Sequence, residues 1–295
     1  MSTGVEHVER TAVAVSAKAL GKRYRAKWAL RGCAFDLPAG RVAALVGANG
    51  AGKTTLMTVL AGLLDADEGS ARAVGRVAFV SQEKPAYRHF TATEVLRLGA
   101  RLNVVWDQAR ALRWLARFEV PLDEACGRLS GGQQAQVAFA LAVGSRPDVL
   151  MLDEPLANLD PLARREVTAE LLGEVARTGM TVLLSTHVVA ELAGVADHLL
   201  LLAHGRLLAG GDLDELLAGH VSYTGPRSDT PPALGEVVLA RHHDNQSTFL
   251  VRLPEGQPRP AVAGRWVERP VTLEDYVLGQ LEATRGDAER KGAGA

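Results

Sequence analysis

The N-terminal part of the chain, residues 12–41, alternates apolar and polar positions. Alternation with a period of two is typical of strands that bury one face. Gly21, Gly32 and the run Pro38-Ala39-Gly40 interrupt the pattern, and these residue types favour turns. The segment therefore predicts short antiparallel strands.

Further along, strand-length apolar runs are separated by segments of helix length. Continuous apolar runs are typical of parallel strands that are buried on both faces, and their alternation with helices predicts βαβ units. The predicted strands are Val42–Val46, Val77–Val80, Asp148–Leu152, Thr181–Ser185, His198–Ala203 and Gly205–Leu208. The predicted helices are Lys53–Leu64, Thr93–Leu102, Trp106–Phe118 and Gln133–Val143. We expect an α/β fold with a mixed or parallel central sheet.

Residues 220–284 differ in composition from the part before them. A linker-like stretch with Pro226, Pro231-Pro232 and Gly235 precedes three strand-like runs and a helix that Thr272 can cap. The three runs are Val237–Ala240, Thr248–Leu253 and Arg265–Val267. We expect a main domain over residues 12–219, a small α+β accessory domain over 220–284 and a disordered tail over 285–295.

A glycine-rich turn, Gly47-Ala48-Asn49-Gly50-Ala51-Gly52-Lys53-Thr54-Thr55, directly follows the predicted strand Val42–Val46. A glycine-rich loop between a strand and a helix is the context of the phosphate-binding P-loop. Glycines let backbone N–H groups approach phosphate oxygens, and the start of the helix favours negative charge. We expect Lys53 to reach the β- and γ-phosphates and the Thr54 hydroxyl to bind Mg²⁺. The expected nucleotide contacts are Gly47, Asn49, Gly50, Ala51, Gly52, Lys53, Thr54 and Thr55.

Three more motifs follow in a fixed order: Leu129-Ser130-Gly131-Gly132-Gln133, then Val149–Glu154, then Ser185-Thr186-His187. With the P-loop, they resemble the ATP-binding-cassette (ABC) ATPases over residues 12 to about 218. The resemblance implies a P-loop NTPase cassette with an antiparallel β subdomain and an α-helical subdomain at about 84–147. It also implies an ATPase that uses ATP and Mg²⁺.

The resemblance assigns a role to five further residues. Tyr24 matches the aromatic residue that stacks on adenine, although an aromatic on a strand is often only a packing residue and Trp28 is a second candidate. Gln82 matches the glutamine that reaches Mg²⁺ and the attacking water. Asp153 matches the residue that holds the metal, Glu154 the residue that polarises the water, and His187 the residue that contacts the γ-phosphate. Adjacent carboxylates at a strand end can instead cap a helix, and His187 can be structural.

The run Leu129–Gln133 implies a dimer, because in the resembling family it faces the nucleotide of the opposite subunit. Ser130, Gly131, Gly132 and Gln133 would therefore bind the ATP of a second cassette, identical or different. Asn158-Leu159-Asp160 matches the loop that crosses the dimer seam. Gln136 departs from the family, which commonly has arginine there, and we expect altered packing or coupling and retained hydrolysis.

Composition places further limits on function. The chain has 295 residues, a formal net charge of −1, two widely spaced cysteines and no apolar run long enough to cross a bilayer. Its N-terminus does not resemble a secretory signal. We expect a cytoplasmic protein that binds no nucleic acid and reaches the inner face of the membrane through integral permease subunits. Residues 85–90, an aromatic loop after Gln82, match the place where the family docks its membrane partner, or fold back onto the core.

The function that these features favour is the ATPase subunit of a membrane transporter with separate transmembrane subunits. Residues Val271–Tyr276 resemble an element of ABC-2 type exporters, which favours export. Two alternatives stay open: a soluble ABC ATPase that acts on ribosomes or DNA, and an importer ATPase with a C-terminal regulatory domain.

Overall fold

The structure, a computed structural model, describes residues 12–82, 87–157, 159–192, 194–254 and 264–292. Its strands form three sheets. The first is antiparallel, with the order β2-β1-β4, and contains β1 (Val13–Tyr24), β2 (Lys27–Pro38) and β4 (Glu68–Ala73). The alternation of residues 12–41 correctly predicts β1 and β2. The third strand was not predicted, because β4 is polar and half-exposed.

The central sheet has six strands in the order β5-β6-β7-β3-β8-β9. Five of them are parallel: β3 (Val42–Val46), β5 (Val77–Val80), β6 (Val149–Leu152), β7 (Thr181–Thr186) and β8 (His198–Ala203). The edge strand β9 (Arg206–Asp212) pairs antiparallel with β8. Four of the parallel strands are buried along their whole length, which explains their continuous apolar sequence. The predicted α/β cassette fold is confirmed.

Six α-helices precede the C-terminal part among the described residues. They are α1 (Lys53–Leu60), α2 (Ala92–Leu102), α3 (Gln108–Arg117), α4 (Gly131–Gly144), α5 (Pro161–Thr178) and α6 (Leu213–Ala218), with 3-10 helices at Cys126–Arg128 and Val189–Leu192. The prediction that the first helix extends to Leu64 was wrong: α1 ends at Leu60, and Gly62 shortly after it has a positive φ of 73°. The segment α2–α4 forms the helical subdomain.

The C-terminal part has a four-stranded antiparallel sheet in the order β11-β12-β10-β13, followed by helix α7. Its elements are β10 (His220–Pro226), β11 (Glu236–His243), β12 (Gln246–Arg252), β13 (Val267–Pro270) and α7 (Leu273–Gly292). The strand β10 lies where the sequence suggested the start of a linker. We expected disorder from residue 285 onward, but helix α7 extends past this residue. Its last turns contain Ala, Glu, Arg and Lys, which are good helix formers. The domain boundaries stay predictions.

A buried ion pair joins the helical subdomain to the core. Arg110 on α3 and Glu174 on α5 are 4% and 3% exposed, and the Arg110 guanidinium lies 2.6 Å from Glu174 Oε2. Burial lowers the pKa of Arg110, and the Glu174 carboxylate opposes this shift. The half-exposed Arg177 also contacts Glu174. Because a buried charge is costly without its partner, this pair fixes how α3 lies on α5.

We predict that Glu174→Leu lowers the free energy of unfolding by about 3–5 kcal/mol, because it leaves Arg110 buried without its counter-charge. The double variant Arg110→Met/Glu174→Leu should recover most of this loss. Glu170→Leu is the matched control, since Glu170 pairs with Arg117 across the same two helices at 3.9 Å and in contact with water. It should cost less than about 1 kcal/mol. Urea unfolding of the variants measures these differences, and equal losses at positions 170 and 174 would contradict the prediction.

Candidate functional site

The loop between β3 and α1 contains two glycines at which neighbouring backbone leaves no room for a side chain. A Cβ atom on Gly47 would lie 2.3 Å from the carbonyl oxygen of Leu202, at the end of β8. Gly52 has a φ of 108°, and a Cβ there would lie 2.6 Å from the Ala29 carbonyl oxygen of β2. The loop is thus held between the central and the antiparallel sheets, with α1 directly behind it. Such a loop presents backbone N–H groups to an anion at the start of a helix.

Lys53 occupies the first position of α1 and is buried. Its Nζ donates a hydrogen bond to the Gly47 carbonyl oxygen at 2.8 Å and lies 3.3 Å from Glu154 Oε1. The loop backbone and a carboxylate from β6 therefore hold its ammonium group at the centre of the site.

Asp153 follows β6 and is 1% exposed. One of its carboxylate oxygens accepts from the Thr54 hydroxyl at 2.7 Å, and the other accepts from the Ser185 hydroxyl at 2.6 Å. Ser185 also accepts from the backbone N–H of Glu154 at 2.9 Å. The end of β6 is thereby fixed from both sides, by α1 and by β7.

Glu154 and His187 meet at the same edge of the sheet. The Glu154 carboxylate lies 2.9 Å from His187 Nδ1, and the backbone of Glu154 has a φ of 47°. Left-handed backbone is unusual for a residue other than glycine, and at a buried position it turns the side chain away from the line of the strand. Lys53, Glu154 and His187 form a continuous chain of polar contacts.

Lys53, Glu154 and His187 lie on the wall of a cavity of about 750 Å³, a size that suits a nucleotide, whereas Asp153 and Ser185 do not line it. Tyr24 stands at its edge with 51% of its side chain exposed, so that a ring face is available for stacking. Gln82 lines the same cavity, as expected. The remaining lining residues are Lys27, Trp28, Ala29, Asn49, Gly50, Gly52, Thr54, Thr55, His204 and Gly205.

The segment Ser130–Gln133 does not line this cavity. Ser130 is the N-cap of α4, and it exchanges hydrogen bonds with Gln133 in a capping box. Ser130 and Gly131 are exposed, so the start of α4 faces outward. Asn158 lies outside the described residues, and Asp160 of the same predicted loop caps α5.

Comparisons with known proteins agree with this architecture. The family model described as "ABC transporter" matches residues 30–157. The aliphatic sulfonates import ATP-binding protein SsuB of Corynebacterium glutamicum is 37% identical over 199 residues, which is 66% of this chain and 82% of that protein. The Nod factor export ATP-binding protein I of Burkholderia orbicola is 32% identical and covers 87% of this chain and 93% of its own length. The dimeric structure of MJ0796, a bacterial ABC transporter cassette, matches with a TM-score of 0.62 and 22% identity, over 68% of this chain and 98% of that one.

The chain belongs to the ABC transporter ATP-binding proteins. It is therefore an ATPase subunit of a transporter, with ATP as its substrate and Mg²⁺ as its metal ion.

The cassette has the donors that such a metal needs. Within the part of the chain that the structure describes, no group of three or more His, Cys, Asp and Glu side chains forms a metal cage. Mg²⁺ is commonly held by one or two protein oxygens together with phosphate oxygens and water. The Thr54 hydroxyl and the Asp153 carboxylate, 2.7 Å apart, fit that requirement. When bound, Mg²⁺ neutralises charge on the phosphate oxygens.

Most of the predicted site residues of the cassette converge on one place, since each follows a strand of the same parallel sheet. Their individual roles stay predictions. Ser185 has a position that sequence analysis left without a role: it links Asp153 to the backbone of Glu154. Lys27, at the start of β2, and His204, in the turn between β8 and β9, were not predicted, and both line the cavity. No local sequence signal marks these two positions.

We predict that Ser185→Ala lowers kcat for ATP by about 10- to 100-fold, because supports behind a metal-binding carboxylate have effects of that size. ATP binding should change little, since Lys53 and the loop glycines keep their contacts. Ser145→Ala is the control, because the Ser145 hydroxyl bonds only a carbonyl at the end of α4 among the described contacts. Steady-state ATPase assays compare the two, and equal rates would show that Ser185 does not support the site.

Proposed function

We propose that this ATPase powers export, as one of two cassettes that close on ATP beneath separate membrane-spanning subunits. The observation that carries export is the extent of the relatives' similarity. The Nod factor export proteins align over 87–90% of the chain, whereas the aliphatic sulfonate import proteins align over 66–79%. The export proteins therefore match a larger share of this chain than the import proteins do. This fuller coverage supports export.

The exposed start of α4 supports the dimer. Ser130 and the glycines after it form a helix N-terminus that favours an anion, yet they lie away from the chain's own nucleotide cavity. Each cassette then supplies the P-loop half of one site and the α4 half of the other. MJ0796, which shares the fold, is described as dimeric. The partner is a second copy or a different cassette.

An exposed aromatic pair after Gln82 supports a membrane partner. Tyr87 and Phe90 are stacked with ring centroids 5.5 Å apart, and both are more than 40% exposed. An exposed apolar pair of this kind is typical of an interaction surface. None of the helices that the structure describes is long and apolar enough to cross a membrane. We propose that permease subunits bind at this pair and hold the cassettes at the inner face of the cell membrane.

The side chains of the site divide the work of hydrolysis. Lys53 holds the β- and γ-phosphates with the loop N–H groups, and Thr54 and Asp153 hold the metal. Gln82 lies on the same wall, where it can orient the attacking water and the metal shell. Glu154 accepts a hydrogen bond from that water and polarises it. His187, supported by Glu154, donates to the γ-phosphate as negative charge develops.

We predict that Glu154→Gln binds ATP and loses at least about 100-fold in turnover, because the amide has the same shape but cannot polarise water as a carboxylate does. Dimers should accumulate with ATP, as measured by light scattering on size-exclusion chromatography. Lys53→Ala should lose ATP binding instead. If purified Glu154→Gln hydrolyses ATP at the unmutated rate, the assignment of Glu154 is wrong.

We predict that tagged Glu154→Gln, captured with ATP from detergent-solubilised membranes, brings down a polytopic membrane protein that resembles export permeases. The double variant Tyr87→Ser/Phe90→Ser should lower the recovery. Leu234→Ser is the control, since Leu234 is an apolar residue of the C-terminal part that is even more exposed than Tyr87 and Phe90. Recovery of an import permease would contradict the direction of transport, and recovery of ribosomes or nucleoid alone would contradict the transporter assignment.

A further inference from the structure

The C-terminal helix reaches the segment that carries His187. Helix α7 packs directly against the 3-10 helix Val189–Leu192, which begins two residues after His187. The residues just before α7 and in its first two turns contribute apolar side chains to the same core cluster that contains Leu192. These residues are Val271, Leu273, Tyr276 and Val277, all less than 10% exposed. The contact is therefore a packed, water-excluding one.

Helix α7 is itself fixed to the C-terminal sheet. Arg241 of β11 donates to Glu282 at 3.0 Å, and a Cβ on Gly279 would lie 2.3 Å from the Leu250 side chain of β12. At its start, Tyr276 meets the ring of His220 edge-on, with centroids 4.9 Å apart. The C-terminal sheet, α7 and the 3-10 helix thus form one packed sequence of elements.

The 3-10 helix is also placed to transmit a shift to the site. Leu192 lines a small, mostly apolar cavity of about 20 Å³, and Glu154 and Pro155 line the same cavity. A space of about one water-sized sphere leaves room for the 3-10 helix to move slightly. His187 is joined to this helix by Val188 alone, whose N–H donates to the Thr186 hydroxyl at 3.0 Å.

We infer that α7 is a positioning element for hydrolysis: through the 3-10 helix Val189–Leu192 it sets the position of His187 against Glu154. The C-terminal part then tunes turnover without touching the nucleotide. This inference rests on the proposed role of His187 and is independent of the direction of transport. Anything that binds the C-terminal sheet and moves α7 would change the hydrolysis rate.

The test compares two full-length variants, each of which changes one buried valine to alanine. Val277 lies on α7 in the core cluster that contains Leu192, and Val251 lies in a separate cluster within the C-terminal sheet. They are 1% and 0% exposed. We expect Val277→Ala to lower kcat about five-fold or more with less than about a two-fold change in KM, since small displacements of a catalytic group reduce turnover steeply. Val251→Ala should leave kcat unchanged. Val277→Ile, which keeps a branched side chain at this position, should have a kcat close to that of the unmutated protein.

Hydrogen exchange provides the second measurement. Backbone amides of residues 187–192 should exchange faster in Val277→Ala than in Val251→Ala, whereas the loop at residues 47–55 should exchange alike in both. Equal effects of the two variants on kcat, or an unchanged kcat in folded Val277→Ala, would overturn the inference. If Val277→Ala does not fold, Leu273→Val makes a milder change on the same turn. Continued hydrolysis by Glu154→Gln would instead refute the catalytic assignment, whatever the outcome at Val277.

Discussion

Two buried carboxylates at the end of β6 are the constraint on which the rest of the site depends. Asp153 and Glu154 are both nearly inaccessible to water, and a buried charge costs several kcal/mol unless other groups compensate it. The compensation comes from Lys53 and Thr54 on α1, and from Ser185 and His187 at the end of β7. Each can reach β6 only because β6, β7 and β3 are neighbours with their carboxyl ends at one edge. The order of the sheet is thus a requirement of the chemistry.

The balance of charge at this edge also explains how the nucleotide controls the site. Among the described contacts, the ammonium group that pairs with these two carboxylates is that of Lys53, on Glu154, so the three side chains together carry net negative charge. Negative charge favours a divalent cation. Lys53 divides its contacts between the Gly47 carbonyl and Glu154, and phosphate oxygens compete for the same ammonium. In the proposed mechanism, Lys53 would turn to phosphate while Glu154 keeps its contact with His187 and has a carboxylate oxygen available for water.

The sequence was sufficient for much of this arrangement, because the motif residues follow buried apolar strands, and parallel strands of one sheet end together. It failed where a position depends on non-local contacts. Ser185 acquires its importance only when β7 lies beside β6, and His204 lines the cavity only because its turn packs against β2. Exposed polar strands such as β4 lack the alternation of apolar and polar residues by which a strand is predicted from sequence. Strand β10 was not predicted, because prolines near its end are typical of a linker. Its pairing partners, β12 and β13, come later in the chain.

Two different kinds of contact join the catalytic core to its attached parts, and their physics implies different behaviour. The helical subdomain is tied to α5 by the buried pair Arg110–Glu174, whose geometry is directional and whose separation would leave charges without compensation. Helix α7 is joined to the 3-10 helix Val189–Leu192 by apolar packing, which is not directional and lies beside a small cavity. A charged pair resists displacement until it breaks, whereas apolar surfaces can slide by fractions of an ångström at low cost. Ser130 should therefore move with α5 as a rigid unit, and small adjustments of His187 should pass through α7.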